Sequence, residues 1–493
     1  LTPTTKTWAL IAGATALACG AAIALLPLST LLVLAGAVVA LALAGLILVE
    51  PVIGLALTLF SAPFGPLENI LLHLPVESGQ ALLFLTLAAW LVRAVVRRRL
   101  ALRNGPLLWP LLLFLVVGVL SFFAARSFEL WAKETLKWVE VLAVYVLVVS
   151  EISDNPRARH ILIAGILIPT LFEAVLGIYQ FGLRGAGPHE FAIAGARFYR
   201  AYGTFEQPNP FGGYMGLTWP FALGLALYLS HRVWQGMRNR MPLTTRVLGL
   251  YALTALAWLI AALAVVALVL SWSRGAWLGA GAATLVLFMA LLRRPAASLA
   301  LLAVIVVSVI TFNLTDLLPA SLRNRLTDFT NEFSSLDVRG VNVNDANYSV
   351  IERLAHWQAA QNMIMDRPYL GVGFGNYTAA YEQYRTLNWP IALGHAHNYY
   401  LNIFAETGIL GLTAYLILWG SIAARTLWVY GTRKGARARP LLSALAFGLL
   451  GTWVQLSVHN VVDNLYVANI FLLIGVYLGL LDGVTHEQTR VSR

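Results

Sequence analysis

The sequence predicts an all-α, polytopic membrane protein, on three observations. Hydrophobic residues fill 59% of its 493 positions and charged residues only 12%, where soluble domains carry about 25% charged residues. The apolar residues come in runs close to the ~20 that a helix needs to cross a hydrocarbon core of ~30 Å, and mean hydropathy is +0.73. The basic residues behind the net charge of +11 are bunched in short loops between those runs, as the positive-inside rule expects. A nucleic-acid binder would gather them on one soluble face. No soluble segment is large enough for that, so membrane lipids are expected around the chain and nucleic acid is not. The single cysteine, Cys19, sits inside an apolar run and reads as a helix residue. It permits no internal disulfide and no thiolate metal site.

Candidate spans run roughly over 8–26, 29–48, 51–64, 79–96, 106–123, 135–150, 160–183 and 209–229, then 247–270, 275–292, 297–315, 399–424, 441–459 and 465–482. That makes about 12–14 transmembrane helices at the length a bilayer requires. The third run is short and follows Glu50-Pro51, which suggests a broken or re-entrant piece. The expected organisation is residues 1–315 with the first eleven spans, a large polar loop over 316–398, and residues 399–493 with the C-terminal spans. The loops rich in Arg and Lys are Arg97 to Arg103, 232–246, Arg293-Arg294 and 425–439. Counting spans puts all of them on one side with both termini, and that side should be cytoplasmic.

The opposite side receives 184–208, the turn 271–274 and the long loop. Within that loop Ser349-Val350-Ile351-Glu352 has the form of a capping box. It opens a helix whose stripe is Leu354, Trp357, Ala360 and Ile364, and Pro368 stops it.

Several residues there could carry chemistry. Arg274, in Ser273-Arg274-Gly275, is either a snorkelling arginine or part of an anion site. Its place on the side where few cations are expected favours the anion site, and its planar fork suits phosphate groups. Arg197 and Arg200 sit between aromatics on the same side, and Arg200 could add charge to that site. Arg353, taken alone, reads as a solvated residue at the start of the loop helix. Glu173 and Lys137, within or beside spans, should line a cavity or pair with another helix. Gly371-Val372-Gly373-Phe374-Gly375-Asn376 resembles a phosphate loop only superficially, because no strand precedes it. Ser457-Val458-His459-Asn460 with Asp463-Asn464 forms a second polar cluster that the sequence does not place.

His395 and His397 close the long loop at the mouth of an apolar helix. Their spacing shares a face only on extended backbone, and the i, i+4 pair of a helical metal site is absent. A single histidine with an ordinary pKa of about 6.5 is suited to general base work.

The stretch from His397 carries a resemblance. His397-Asn398, nine residues, Gly408, two residues and Gly411 match the H-[NSQ]-x9-G-x2-[GTY] pattern of the bacterial O-antigen ligases. The related protein O-oligosaccharyltransferases and some O-antigen polymerases resemble this region too. The turn at 273–275, the Arg353 to Pro368 helix and the Gly371 to Asn376 stretch agree with the same superfamily, over about residues 170 to 480. The resemblance implies a GT-C-like glycosyltransferase of the bacterial inner membrane with a periplasmic active site. It implies an undecaprenyl-diphosphate-linked glycan as donor and lipid A-core as acceptor. His397 takes the place of the family's motif histidine, and Arg274 and Arg353 those of its two essential arginines. His397 is then the base and Arg274, Arg353 and Arg200 hold the diphosphate, with His395, Asn398, Arg197 and His459 as further candidates. No Asp-x-Asp pair stands near the motif, so neither an obligatory metal nor a cofactor is expected. The motif does not separate a ligase from a polymerase or a protein glycosyltransferase. A lipid-linked glycan flippase, the reading from another class, would scatter its charges along mid-membrane helices and show internal repeats.

Overall fold

The computed structural model describes residues 28–73, 76–98, 103, 105–193, 197–292, 347–431 and 440–491, with 300, 303–304, 307, 311, 337–339, 341 and 343 between. Its helices are α1 (Leu28–Val49), α2 (Pro51–Ser61), α3 (Gly65–Leu72), α4 (Ser78–Val96), α5 (Leu108–Leu120), α6 (Phe128–Asp154) and α7 (Pro156–Ile178). They continue with α8 (Pro208–Arg238), α9 (Thr245–Leu270), α10 (Arg274–Leu292), α11 (Tyr348–Asp366), α12 (Tyr377–Tyr384), α13 (Tyr399–Gly431), α14 (Pro440–His459) and α15 (Ile470–Val491). A two-stranded antiparallel ribbon pairs Ala192 with Tyr199 and Ile193 with Phe198. The all-α polytopic class holds.

Among the described residues, 7 helical stretches are long and apolar enough to cross a membrane. Of the predicted runs, 8–26 and most of 297–315 lie outside the described residues; each of the others falls on a helix. The third run is longer than the sequence suggests, and it is broken once rather than re-entrant. α2 continues through a 3-10 turn at Ala62–Phe64 into α3, giving a 22-residue stretch from Pro51 to Leu72. Pro63 removes one backbone donor there, and the turn tightens without stopping the helix.

α8 is the centre of the bundle, packed on α9 and α14, while α10 also packs on α14 and α13 on α14 and α5. Small residues allow the closest approach: a Cβ on Gly224 would strike the Ala444 carbonyl, and one on Gly448 the Pro220 carbonyl. Such backbone-to-backbone contact is how helices associate where neighbouring lipid is as apolar as they are. Pro220 lies inside α8, and the Leu217 carbonyl one turn earlier accepts from Thr452 Oγ1 at 2.9 Å and Tyr477 OH at 3.2 Å. Two neighbouring helices thus hydrogen-bond to the α8 backbone beside its proline.

The basic positions Arg232, Arg238 and Arg246 lie at the ends of α8 and α9 away from Asn209 and Ser271. Each of those helices is about 40 Å long or more at 1.5 Å per residue. The site described next therefore sits at the opposite end of the bundle.

Candidate active site

Four helices start around one cavity of about 490 Å³. Asn209 is in the first turn of α8, Arg274 opens α10, Ser349 is in the first turn of α11, and His397 stands two residues before α13. Helix N-termini present unsatisfied N–H groups and a positive dipole end, which favours anions. Arg200, Arg274 and Arg353 line the same space, with Glu352, Trp357 and Asp463.

The turn between α9 and α10 is the hub. Trp272 takes a left-handed φ of 52°, so the chain reverses within Ser271–Ser273. Arg200 Nε donates to the Ser271 carbonyl at 3.0 Å and its Nη2 to Asn209 Oδ1 at 3.0 Å. A buried carboxylate fixes the turn that follows Arg200: Glu173 of α7 accepts from the Thr204 N–H at 3.0 Å and from its hydroxyl at 2.6 Å.

The expected capping box does not form. α11 begins two residues earlier than a Ser349 cap would have it, at Tyr348, with no side-chain cap. The Ser349 hydroxyl instead accepts from Arg274 Nη2 at 2.7 Å, so a tertiary contact outcompetes the local one. Arg353 donates through Nη1 to the Ser349 carbonyl at 2.6 Å and through Nε to the Val462 carbonyl at 3.2 Å. Its own residue pattern read as a solvated surface; the structure ties it into the cavity wall.

His397 has a left-handed φ of 51°. Its N–H donates to His395 Nδ1 at 3.0 Å, and its carbonyl accepts from Trp357 Nε1 at 3.4 Å. Across from both rings is Asp463, 3.7 Å from His397 Nδ1 and 4.0 Å from His395 Nε2. Burial alone would raise the Asp463 carboxyl, but His397, His395 and Arg353 outweigh it and hold it well below the usual carboxylate range. It is therefore an anion at neutral pH. The ligand atoms of His395, His397 and Asp463 all lie within 4.8 Å of one another, a separation that could hold a metal.

The other candidates are placed elsewhere. Asn398 accepts from the Leu401 N–H at 3.1 Å and so caps α13. Arg197 is exposed, its guanidinium 5.4 Å over the Phe198 ring. His459 is fully buried against Gly275, behind the cavity wall. Gly371 to Asn376 contributes nothing to the cavity lining; it docks into α13. Lys137 pairs with Glu134. Asp463 and Glu352 are the residues that sequence reasoning did not assign, the first because its partners are distant in the chain and the second because it looked like a cap.

His356 and His395 are held neutral. Burial, then His397 and Arg353, bring His356 down to about 4, and burial, then His397, bring His395 down to about 3. The unfolded chain binds those protons near pH ~6.5, so stability is full above that value and falls as pH drops from about 6.5 toward about 4. The melting midpoint in detergent should fall over that window, and His356→Phe should make the fall shallower. Identical slopes for the two proteins would remove His356 from the account.

The fold and the site together define a polytopic helical membrane protein with a cationic, histidine-bearing cavity at one end of its bundle. The family model described as O-antigen ligase matches residues 259–416, from within α9 into α13. The match contains Arg274, Arg353 and His397, and it supports the resemblance read from His397 to Gly411 and an enzyme of the O-antigen ligase or polymerase type. Arg200 and Asp463 lie outside it. No curated protein matches the chain.

Proposed function

We propose that the protein is a ligase of the bacterial inner membrane, with both termini cytoplasmic and the cavity facing the periplasm. It moves a glycan from undecaprenyl diphosphate to a sugar hydroxyl of lipid A-core. One observation carries this reading: three arginines and the His397–Asp463 pair face a single cavity ringed by helix N-termini. Gathering the charges at one end is what an enzyme needs, whereas a flippase would spread them along the path.

In the proposed reaction the acceptor oxygen attacks the anomeric carbon as its proton passes to His397 Nε2. The bond from that carbon to the diphosphate oxygen breaks, and the electron pair leaves with undecaprenyl diphosphate. Attack from the face opposite the leaving group inverts the carbon. Arg274, Arg353 and Arg200 stabilise the charge that grows on the diphosphate, with donors already in place before the bond breaks. Asp463 holds the proton on His397 Nδ1, so that Nε2 offers its lone pair, the orienting part that a carboxylate plays beside a catalytic histidine.

No metal has a part in this scheme, and the tautomer of His395 supports that. Its Nδ1 already accepts a backbone N–H, so the proton of the neutral ring sits on Nε2 and points at Asp463. Nε2 would bind a metal only in the other tautomer, which would set an Nδ1–H against the His397 N–H that Nδ1 now accepts.

The test is transfer by the purified protein from an undecaprenyl-diphosphate-linked glycan to lipid A-core. Glycan on the core is the expected product. Chains that lengthen on the lipid carrier would make the protein a polymerase, and glycan translocated across liposomes without transfer would make it a flippase.

A further inference from the structure

α11 carries two neighbouring rows of side chains at i, i+4 spacing. Ser349, Arg353 and Trp357 form the row tied to Arg274 and His397. Tyr348, Glu352 and His356 form the row beside it. Glu352 faces the cavity, and His356, one turn on, has its ring 5.6 Å from that of His397.

A carboxylate is the wrong group for a phosphate, because like charges repel at short range. The space in front of Glu352 therefore suits another part of the substrate. Tyr348 stands beside it, 49% exposed, with its ring 5.3 Å from that of Trp389. Glu352 follows Tyr348 by one helical turn on α11, which puts the carboxylate beside the phenol; partial burial and then that carboxylate push the phenol up. An aromatic face with a carboxylate at its edge is complementary to a pyranose ring. The C–H face of the sugar packs on the negative face of the ring, and its hydroxyls donate charge-assisted hydrogen bonds to the carboxylate.

We propose that Tyr348 and Glu352 form a sugar subsite on the α11 wall, which seats a pyranose ring of the glycan donor or of the acceptor within reach of His397. The inference rests on the glycosyl-transfer reading and adds the residues that select the sugar. It separates two jobs on adjacent rows of one helix, anion binding on the Arg353 row and sugar binding on the Glu352 row.

The experiment measures equilibrium binding to the full chain in detergent with three probes: lipid A-core, an undecaprenyl-diphosphate-linked glycan, and undecaprenyl diphosphate without sugar. Glu352→Gln keeps the shape and removes the charge; Tyr348→Ala removes the ring. Each should weaken at least one sugar-bearing probe by about tenfold or more, the size expected for hydrogen bonds to a charged group. Neither should change binding of bare undecaprenyl diphosphate. Loss confined to lipid A-core assigns the ring to the acceptor, and loss confined to the glycan lipid assigns it to the donor. Unchanged affinity for both sugar-bearing probes overturns the subsite, and so does an equal loss on all three, which is the mark of a displaced helix. Wild-type protein that fails to bind undecaprenyl diphosphate refutes the diphosphate reading instead, and the lipid A-core arm then still decides the subsite.

Discussion

His397→Gln is expected to lower turnover by about a hundredfold to ten-thousandfold, the range that a positioned general base supplies. Binding of undecaprenyl diphosphate should survive, because the arginines that would hold it are fixed by other contacts: Arg200 by Ser271 and Asn209, Arg353 by Ser349 and Val462. Asp463→Asn should cost less, about tenfold to a hundredfold, if its part is to orient the imidazole. The 3.7 Å separation is longer than a hydrogen bond, so the orienting role requires the pair to close in the substrate complex. The decisive readout is the double variant. Groups that act as a unit are not additive, so Asp463→Asn should add little once His397 is gone. Equal losses in both backgrounds would show that Asp463 merely holds its own loop, where it already accepts the Asn464 N–H at 2.9 Å.

The bundle was legible because hydropathy is a local property. A run of apolar residues announces a span whatever it packs against, and nearly every described run became a helix. The cavity was legible in its cations for the same reason: Arg274 and Arg200 stand out on the side where few basic residues belong. What escaped was decided by contacts between distant segments. Ser349 and Glu352 have the spacing of a capping box, yet Arg274 takes the serine hydroxyl and leaves the glutamate facing the cavity. Arg353 is surface by its neighbours in sequence and wall by its bonds to Val462 and Ser349. Asn398 beside the motif histidine looked chemical, and it caps the helix that the histidine precedes. Asp463 stood out as part of a polar cluster between the last two spans, but only the fold brings it to His397.

Gly408→Ala should dismantle the site while leaving the bundle helical. α13 is two helical pieces joined at Gly408, whose φ of 64° and ψ of −167° belong to a region open essentially to glycine alone. The break exposes backbone groups, and the segment before α12 uses them. Ile409 N–H donates to the Pro368 carbonyl at 2.8 Å, while Ala405 and Glu406 accept from the N–H groups of Val372 and Gly373, each at 2.9 Å. The Glu406 side chain adds the N–H groups of Gly375 and Tyr377, at 2.9 and 3.2 Å. A Cβ at 408 would drive into the Tyr369 carbonyl, as one at 371 would into Glu406. Strain of about 1–3 kcal/mol and overpacking of about 1–3 kcal/mol then act on the joint that anchors the C-terminal end of α11, and with it Arg353 and Glu352. Gly420 of the same helix has nothing within 4 Å of its Cβ position, so Gly420→Ala should be neutral or slightly stabilising. Hydrogen exchange would separate the two: residues 368–377 should lose protection in Gly408→Ala alone, together with transfer activity, while helical content in detergent stays near wild type. If Gly408→Ala matches Gly420→Ala in exchange and activity, the joint is not what anchors α11 beside the cavity, and the glycine of the motif needs another cause.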